Sequence, residues 1–188
     1  MVRRMRWQGL FADLEGQLDA AEAAELAGEV EERSRREAAL LCLADRLGAA
    51  VGQEAGVHVP SHGLLRGVLV DAGRDWLLLD EPGGTELLVP LAAVLGVVGI
   101  GSRAVDPASQ GPVVRRLDLR WALRGLARSR TGVVLSLSDG SQVTGTLDRV
   151  GADHVDVAEH GRGEPRRAGA VRQVRLVPIG ALAVVRSG

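Results

Sequence analysis

Residues 133–157 read VVLSLSDGSQVTGTLDRVGADHVDV. The apolar positions Leu135, Leu137, Val143, Leu147, Val155 and Val157 alternate along this stretch and are interrupted by Asp139-Gly140. That pattern predicts two strands joined by a tight hairpin, because Asp-Gly suits the positive backbone angles of a two-residue turn. Gly145 then falls in mid-strand. Glycine there marks a sharp bend, at a point where a side chain would obstruct the backbone crossing over it. The expectation is a small, strongly curved barrel.

An earlier part of the chain repeats this plan. When Gly67 is laid on Gly145 without gaps, Gly73 and Asp75 fall on Gly151 and Asp153, while Val57, Val59, Leu65, Leu69, Leu77 and Leu79 fall on the six apolar positions above. An insertion within His160–Val171 lengthens the second copy, after which Leu88-Val89-Pro90-Leu91 meets Leu176-Val177-Pro178-Ile179. Glycines, apolar alternation and a Val-Pro step sharing one register identify an internal repeat. The predicted strands are 57–59, 64–71, 75–80, 86–90 and 94–100, then 133–138, 142–149, 154–159, 173–178 and 181–186.

The fold class is therefore α+β: a helical arm over 1–50, a first barrel over 51–102, a linker with an Arg-rich helix over 103–130, and a second barrel over 131–188. Each barrel has only about 50–60 residues, a size at which a lone core is marginal. The two are expected to form one body, joined through sheet edges or the intervening helix.

Helical spacing of Trp7, Leu10, Phe11, Leu14 and Leu18, then of Leu26, Val30, Leu40, Leu41, Leu43 and Leu47, predicts the arm. Gly9, Gly16 and Gly28 argue for two or more segments. The first aromatics, with Leu10 and Leu14, form the expected docking piece of the arm. Cys42 lies on the apolar side of the pattern, which predicts a buried thiol.

All 23 basic side chains are Arg, and the formal charge of −1 hides an uneven distribution. Residues 103–130 hold seven Arg against two acids. Within them Arg116, Arg120, Arg124 and Arg128 recur every four residues on the second helix, opposite Leu119, Leu123 and Leu126. Such a stripe suits solvent, the acidic arm residues Glu22, Glu25 and Glu29, or phosphates.

A short helix followed by five strongly bent strands, with an Asp-Gly hairpin and a glycine soon after it, resembles the Sm-like (LSm) barrel, one of the small SH3-like barrels. The resemblance covers the second repeat, 131–188, and, more weakly, the first. In that family the loop after the second long strand and the loop of the last strand carry nucleic-acid contacts. The resemblance places Asp153, His154 and Arg186 at those positions.

Catalytic chemistry is not expected. No histidine lies beside a nucleophile elbow, and Gly99-Ile100-Gly101 is followed by Pro107 in place of the helix that a dinucleotide fingerprint requires. His58 and His62 flank Pro60 and read as turn residues, not as a metal pair. Asp75 and Asp153 are expected to cap their turns. No cofactor, metal, membrane or small-molecule partner is predicted, and Arg3, Arg4 and Arg6 precede no uninterrupted apolar run, so a cytoplasmic location is expected. The expected function is a non-enzymatic adaptor or assembly protein that binds protein partners or itself. The competing expectation is RNA binding through the Arg116–Arg128 stripe.

Overall fold

In the computed structural model the described residues are 2–105, 117–161, 163, 167 and 169–187, with first-helix side chains at 15–18, 21–36 and 38–40. The chain forms two units, 1–41 and 42–188. The first unit is one helix, α1 (Val2–Leu40), uninterrupted at its glycines. The expected division of the arm over 1–50 into two or more segments falls at residues 41–42 and not at a glycine, because each glycine costs only about 1 kcal/mol and lies among strong helix formers. Glu31–Arg35 and Glu32–Arg36 pair along one face with the acid toward the N-terminus, the favourable order. Leu18, Leu26, Val30 and Leu40 are exposed. The side chains of Trp7, Leu10, Phe11 and Leu14 lie outside the described set.

The helical pattern breaks at residues 41–42, and α2 (Leu43–Ala49) opens the second unit. Cys42 is exposed, contrary to the buried thiol expected. It occupies the cap position, where its N–H and its thiol donate to Asp45 Oδ2 at 2.9 and 2.8 Å, so the residue faces outward from the stripe that continues it.

Ten strands follow. The first half contributes β1 (Glu54–Val59), β2 (Gly63–Ala72), β3 (Trp76–Glu81), β4 (Thr85–Pro90) and β5 (Gly96–Val98). After α3 (Leu119–Ser129), the second contributes β6 (Gly132–Leu137), β7 (Gln142–Val150), β8 (His154–Glu159), β9 (Gln173–Pro178) and β10 (Leu182–Ser187). A single 3-10 turn precedes the last strand of each half, at Leu91–Ala93 and Ile179–Ala181. No helix among the described residues is long and apolar enough to cross a membrane.

The strands are all antiparallel and make one sheet in the order β5-β1-β2-β3-β4-β10-β6-β7-β8-β9. This corrects the expectation of two closed barrels. Within each half the order is fifth, first, second, third, fourth, and the fourth strand does not return to pair with its own fifth. β4 instead bonds to β10 of the other half, so the backbone groups that would close a barrel are used in the junction.

The repeat is visible in detail. The β2–β3 register slips between Leu69 and Asp71, and the β7–β8 register slips between Leu147 and Arg149, the equivalent positions of the second copy. Gly67 and Gly145 sit where the strands cross most closely. A Cβ on Gly67 would stand 2.4 Å from Asp80 O, and one on Gly145 would stand 2.1 Å from Ala158 O. No side chain fits at either position. The Asp139-Gly140 hairpin forms, with Gly140 at φ 86° and Asp139 Oδ1 accepting from the N–H and hydroxyl of Ser141. Those bonds hold the Asp139 carboxyl below its ordinary pKa.

Each half lends side chains to the core of the other. Ala183 and Val184 of β10 join the cluster around Val57, Leu69, Leu77 and Leu87. Trp76 and Leu88 join the cluster around Leu123, Leu135, Leu147 and Val157. A fully buried Leu or Val is worth about 1.5–3 kcal/mol, so the exchange supplies burial that a half of this size lacks alone.

Candidate assembly interface

The junction between the halves is built from four features. Leu88, Leu87 and Glu86 on β4 lie opposite Val185, Arg186 and Ser187 on β10. Beside the strands, α3 is anchored on the turn that opens β3. Asp75 Oδ1 accepts from Leu119 N at 2.7 Å, and Trp76 Nε1 donates to Leu117 O at 3.0 Å. The two hairpin tips also meet, Ser61 Oγ donating to Ser138 O at 3.4 Å.

The Asp75 carboxylate thus bonds to the first turn of a helix belonging to the other half and not, as expected, to its own turn. Its main-chain carbonyl accepts from Leu91 N, as Asp153 O accepts from Ile179 N in the second half, tying each turn to the 3-10 turn before the last strand. Gly73 makes room for the Trp76 ring, which lies within 2.2 Å of where a Cβ would be. The chain alone shows the repeated Gly-x-Asp spacing but not that one of the two turns carries a helix.

Helix α3 starts where Asp118 Oδ1 accepts from Trp121 N at 2.9 Å, the usual N-cap bond. The other Asp118 oxygen accepts from Arg120 Nε and Nη2 at 2.9 and 2.7 Å. Burial raises the Asp118 pKa, but the Arg120 and Trp121 bonds and the charges of Arg120 and Arg124 outweigh it and leave the carboxyl lowered. The helix ends at Arg130 in the left-handed conformation, φ 51°. Leu119 and Leu123 are buried, whereas Arg120, Arg124 and Arg128 are exposed on the opposite side. Arg116 lies outside the described residues.

Of the other expected contact residues, Asp153 and His154 lie beside that stripe, Arg120 Nη1 donating to Ala152 O of the same turn at 3.4 Å, whereas Arg186 lies apart from it. Asp153 and His154 lie on the exposed turn before β8, joined to each other at 2.8 Å, with His154 Nε2 3.7 Å from Asp156 Oδ1. The hydrogen bond and the charge of His154 lower the Asp153 pKa. Arg186 is only half-exposed. It sits at the junction, 3.5 Å from Glu81, with its Nε buried and lacking a partner.

Thr146 and His160 form a pair that sequence reasoning missed, Oγ1 to Nε2 at 2.8 Å, with His160 Nδ1 on Gly161 O at 3.0 Å. Both residues are buried, which makes the pair a satisfied polar element of the core. Their separation across the β7–β8 ladder leaves no periodic signal. His62 Nδ1 lies against Pro60 O, in keeping with a turn residue. Among the described residues no group of three or more His, Cys, Asp or Glu could hold a metal ion.

The sheet ends in two strand edges that nothing else in the described chain pairs, the outer sides of β5 and β9. Near them Leu95, Val98, Val174 and Leu176 are exposed. Neither a family model nor a curated protein matches the chain.

Proposed function

We propose that the chain is a non-enzymatic assembly or adaptor protein, made of two Sm-like halves and a helical arm, that binds protein partners or itself through the edges of its sheet. The observation that carries this reading is the pair of unpaired edges, β5 and β9, flanked by exposed Leu and Val. An unpaired strand edge beside exposed apolar side chains offers main-chain groups to a strand from another chain. The strand order within each half and the bending glycine of its second strand support the Sm-like resemblance.

A second reading, RNA binding, is favoured by the exposed side of α3 bearing Arg120, Arg124 and Arg128. It is weakened by the ion pairs of Arg120 with Asp118 and of Arg186 with Glu81. The two readings separate in one experiment. Wild-type chain and a form with Val174→Arg and Leu176→Arg are used to capture partners from lysate with and without nuclease. Stoichiometric capture that survives nuclease and is lost in the edge variant is expected. Capture abolished by nuclease, and unchanged in the edge variant, would replace the assembly reading with RNA binding.

A further inference from the structure

Helices α2 and α3 hold the same place in the two repeats, and their outer sides differ. Cys42 and Asp118 are their N-caps, Leu43 corresponds to Leu119, and Leu47 and Leu123 are each buried in the core of their own half. In that register Trp121 and Arg124 of α3 stand where α2 has Asp45 and Gly48. The chain covers this side of α2 itself. Val105 N donates to Asp45 O at 3.0 Å, Arg46 Nη2 donates to Gly101 O at 2.8 Å, and a Cβ on Gly48 would stand 3.5 Å from Val105 Cγ2. Asp45 is accordingly 6 % exposed, whereas Trp121 at the matching place is 46 % exposed.

The uncovered side of α3 has the composition of a docking surface. Arg124 and Arg128 follow Trp121 by three and seven residues and so share its side of the helix. Both are exposed and form no ion pair among the described residues. Gly125 lies one turn after Trp121, and a Cβ there would meet nothing within 4 Å, which leaves the surface beside the ring open. Trp and Arg are the side chains most often found to anchor protein contacts.

The complementary surface is on α1. Residues 13–32 contain eight acids and no base. Glu31 and Glu32 are paired with Arg35 and Arg36, but Glu22, Glu25 and Glu29 are exposed and form no ion pair among the described residues. At spacings of three and four these carboxylates share one side of the helix, where they repel one another. Leu18 and Leu26 flank them, 61 % and 62 % exposed.

We infer that the outer side of α3 docks the acidic stretch of α1 from a second copy of this chain, Glu22, Glu25 and Glu29 meeting Arg124 and Arg128, with an exposed leucine of the arm seated beside Trp121 over Gly125. Arg124 to Arg128 and Glu25 to Glu29 each advance one turn, about 6 Å, so the charges come into step. Both surfaces are open in the single chain and each copy carries one of each, which selects a second copy as the occupant over an unrelated acidic protein. Reciprocal docking closes a two-fold dimer. The contact uses neither free edge of the sheet and so goes beyond the assembly reading.

The test is sedimentation of the purified full chain over a range of concentrations and salt, with two charge reversals: Arg124→Glu with Arg128→Glu on α3, and Glu22→Arg with Glu25→Arg on the arm. All four sites are exposed and the new residues are good helix formers; circular dichroism and a thermal melt verify folding, and Arg124→Gln with Arg128→Gln replaces the α3 reversal if it fails them. Wild-type chain is expected to reach twice 19.8 kDa and to dissociate as salt rises. Each reversal alone should weaken the dimer by at least about tenfold. The two reversed chains mixed together, and one chain carrying both reversals, should associate again. A monomeric wild type, reversals that leave association unchanged, or a mixture that fails to pair overturns the inference. A monomeric wild type that binds a labelled oligouridine, and loses it on reversal of α3, overturns it in favour of phosphate contacts. Association that ignores both reversals and vanishes with Val174→Arg and Leu176→Arg overturns it while the assembly reading stands.

Discussion

Replacing Gly145 by Ala adds one carbon at the tightest strand crossing of the second half. That carbon would stand 2.1 Å from Ala158 O, 2.9 Å from Ala158 C and 3.1 Å from Glu159 Cα. An ordinary carbon–oxygen approach is about 3.3 Å or more, so β8 has to retreat by about 1 Å. The obstacle is main chain and cannot rotate aside. Gly145, Thr146 and Leu147 face Glu159, Ala158 and Val157 in the ladder, and a shift of that size takes ladder bonds past the useful range. Two lost bonds at about 1 kcal/mol each, with about 1–3 kcal/mol for overpacking, give a loss of about 3–5 kcal/mol. Removing glycine from the unfolded ensemble returns only about 0.4–1 kcal/mol. At about 2–4 °C per kcal/mol for a domain near this size, the melting temperature should drop by about 10 °C. The assay is urea and thermal unfolding beside Gly132→Ala, where a Cβ meets nothing within 4 Å and stability should be unchanged or slightly higher. Equal stability of the two variants would refute the claim that the bend at Gly145 excludes a side chain.

Asp118→Ala should cost about 1 kcal/mol through the lost α3 cap. Because the folded carboxyl is held below its ordinary value, the cap contributes fully above about pH 4 and fades as pH falls through the folded value. Calorimetric melts of the two proteins should therefore converge in acid, and a constant gap down to pH 2 would be the contrary result. Changing Arg116, Arg120, Arg124 and Arg128 together to Gln keeps good helix formers; if the stripe holds phosphates, the salt slope of single-stranded RNA binding flattens by up to about 3, and an unaltered slope dismisses that reading. Arg186→Met removes a half-buried cation whose Nε lacks a partner and should leave the melting temperature unchanged or raise it; a loss above about 2 kcal/mol would show that the Glu81 pair stabilises the junction.

The strands were legible because the two repeats check each other. Alternation proposes a strand, and a matching glycine in the other repeat sets its register, so the β8 and β9 limits read from sequence coincide with those of the fold. The crossing at Gly145 was legible for the same physical reason, since in a strand interior only steric exclusion favours the residue that packs least. Closure was not legible. Whether a fifth strand returns to its own fourth or takes the fourth of a neighbour is decided by shape and by which core is short of apolar surface, while the alternation pattern is identical in both cases. Cys42 misled because helical spacing continues across residues 41–42, although the chain breaks there and the residue becomes a cap.

Once the fold is known, the two repeats can be compared for burial as well as for residue type. Leu88 and Leu176 are the same residue at the same strand position, and so are Leu119 and Leu43 on their helices; nothing in their identity separates a buried member from an exposed one. Had the second edge been selected only for solvent, charge or proline at Leu176 would blunt it, as edge strands commonly require. Arg175 is present, but it is turned to Glu159 by an ion pair within the sheet, and Leu176 beside it stays uncovered. The same apolar residue at the same strand position is covered in one repeat by the neighbouring half and left open in the other, where the sheet simply ends.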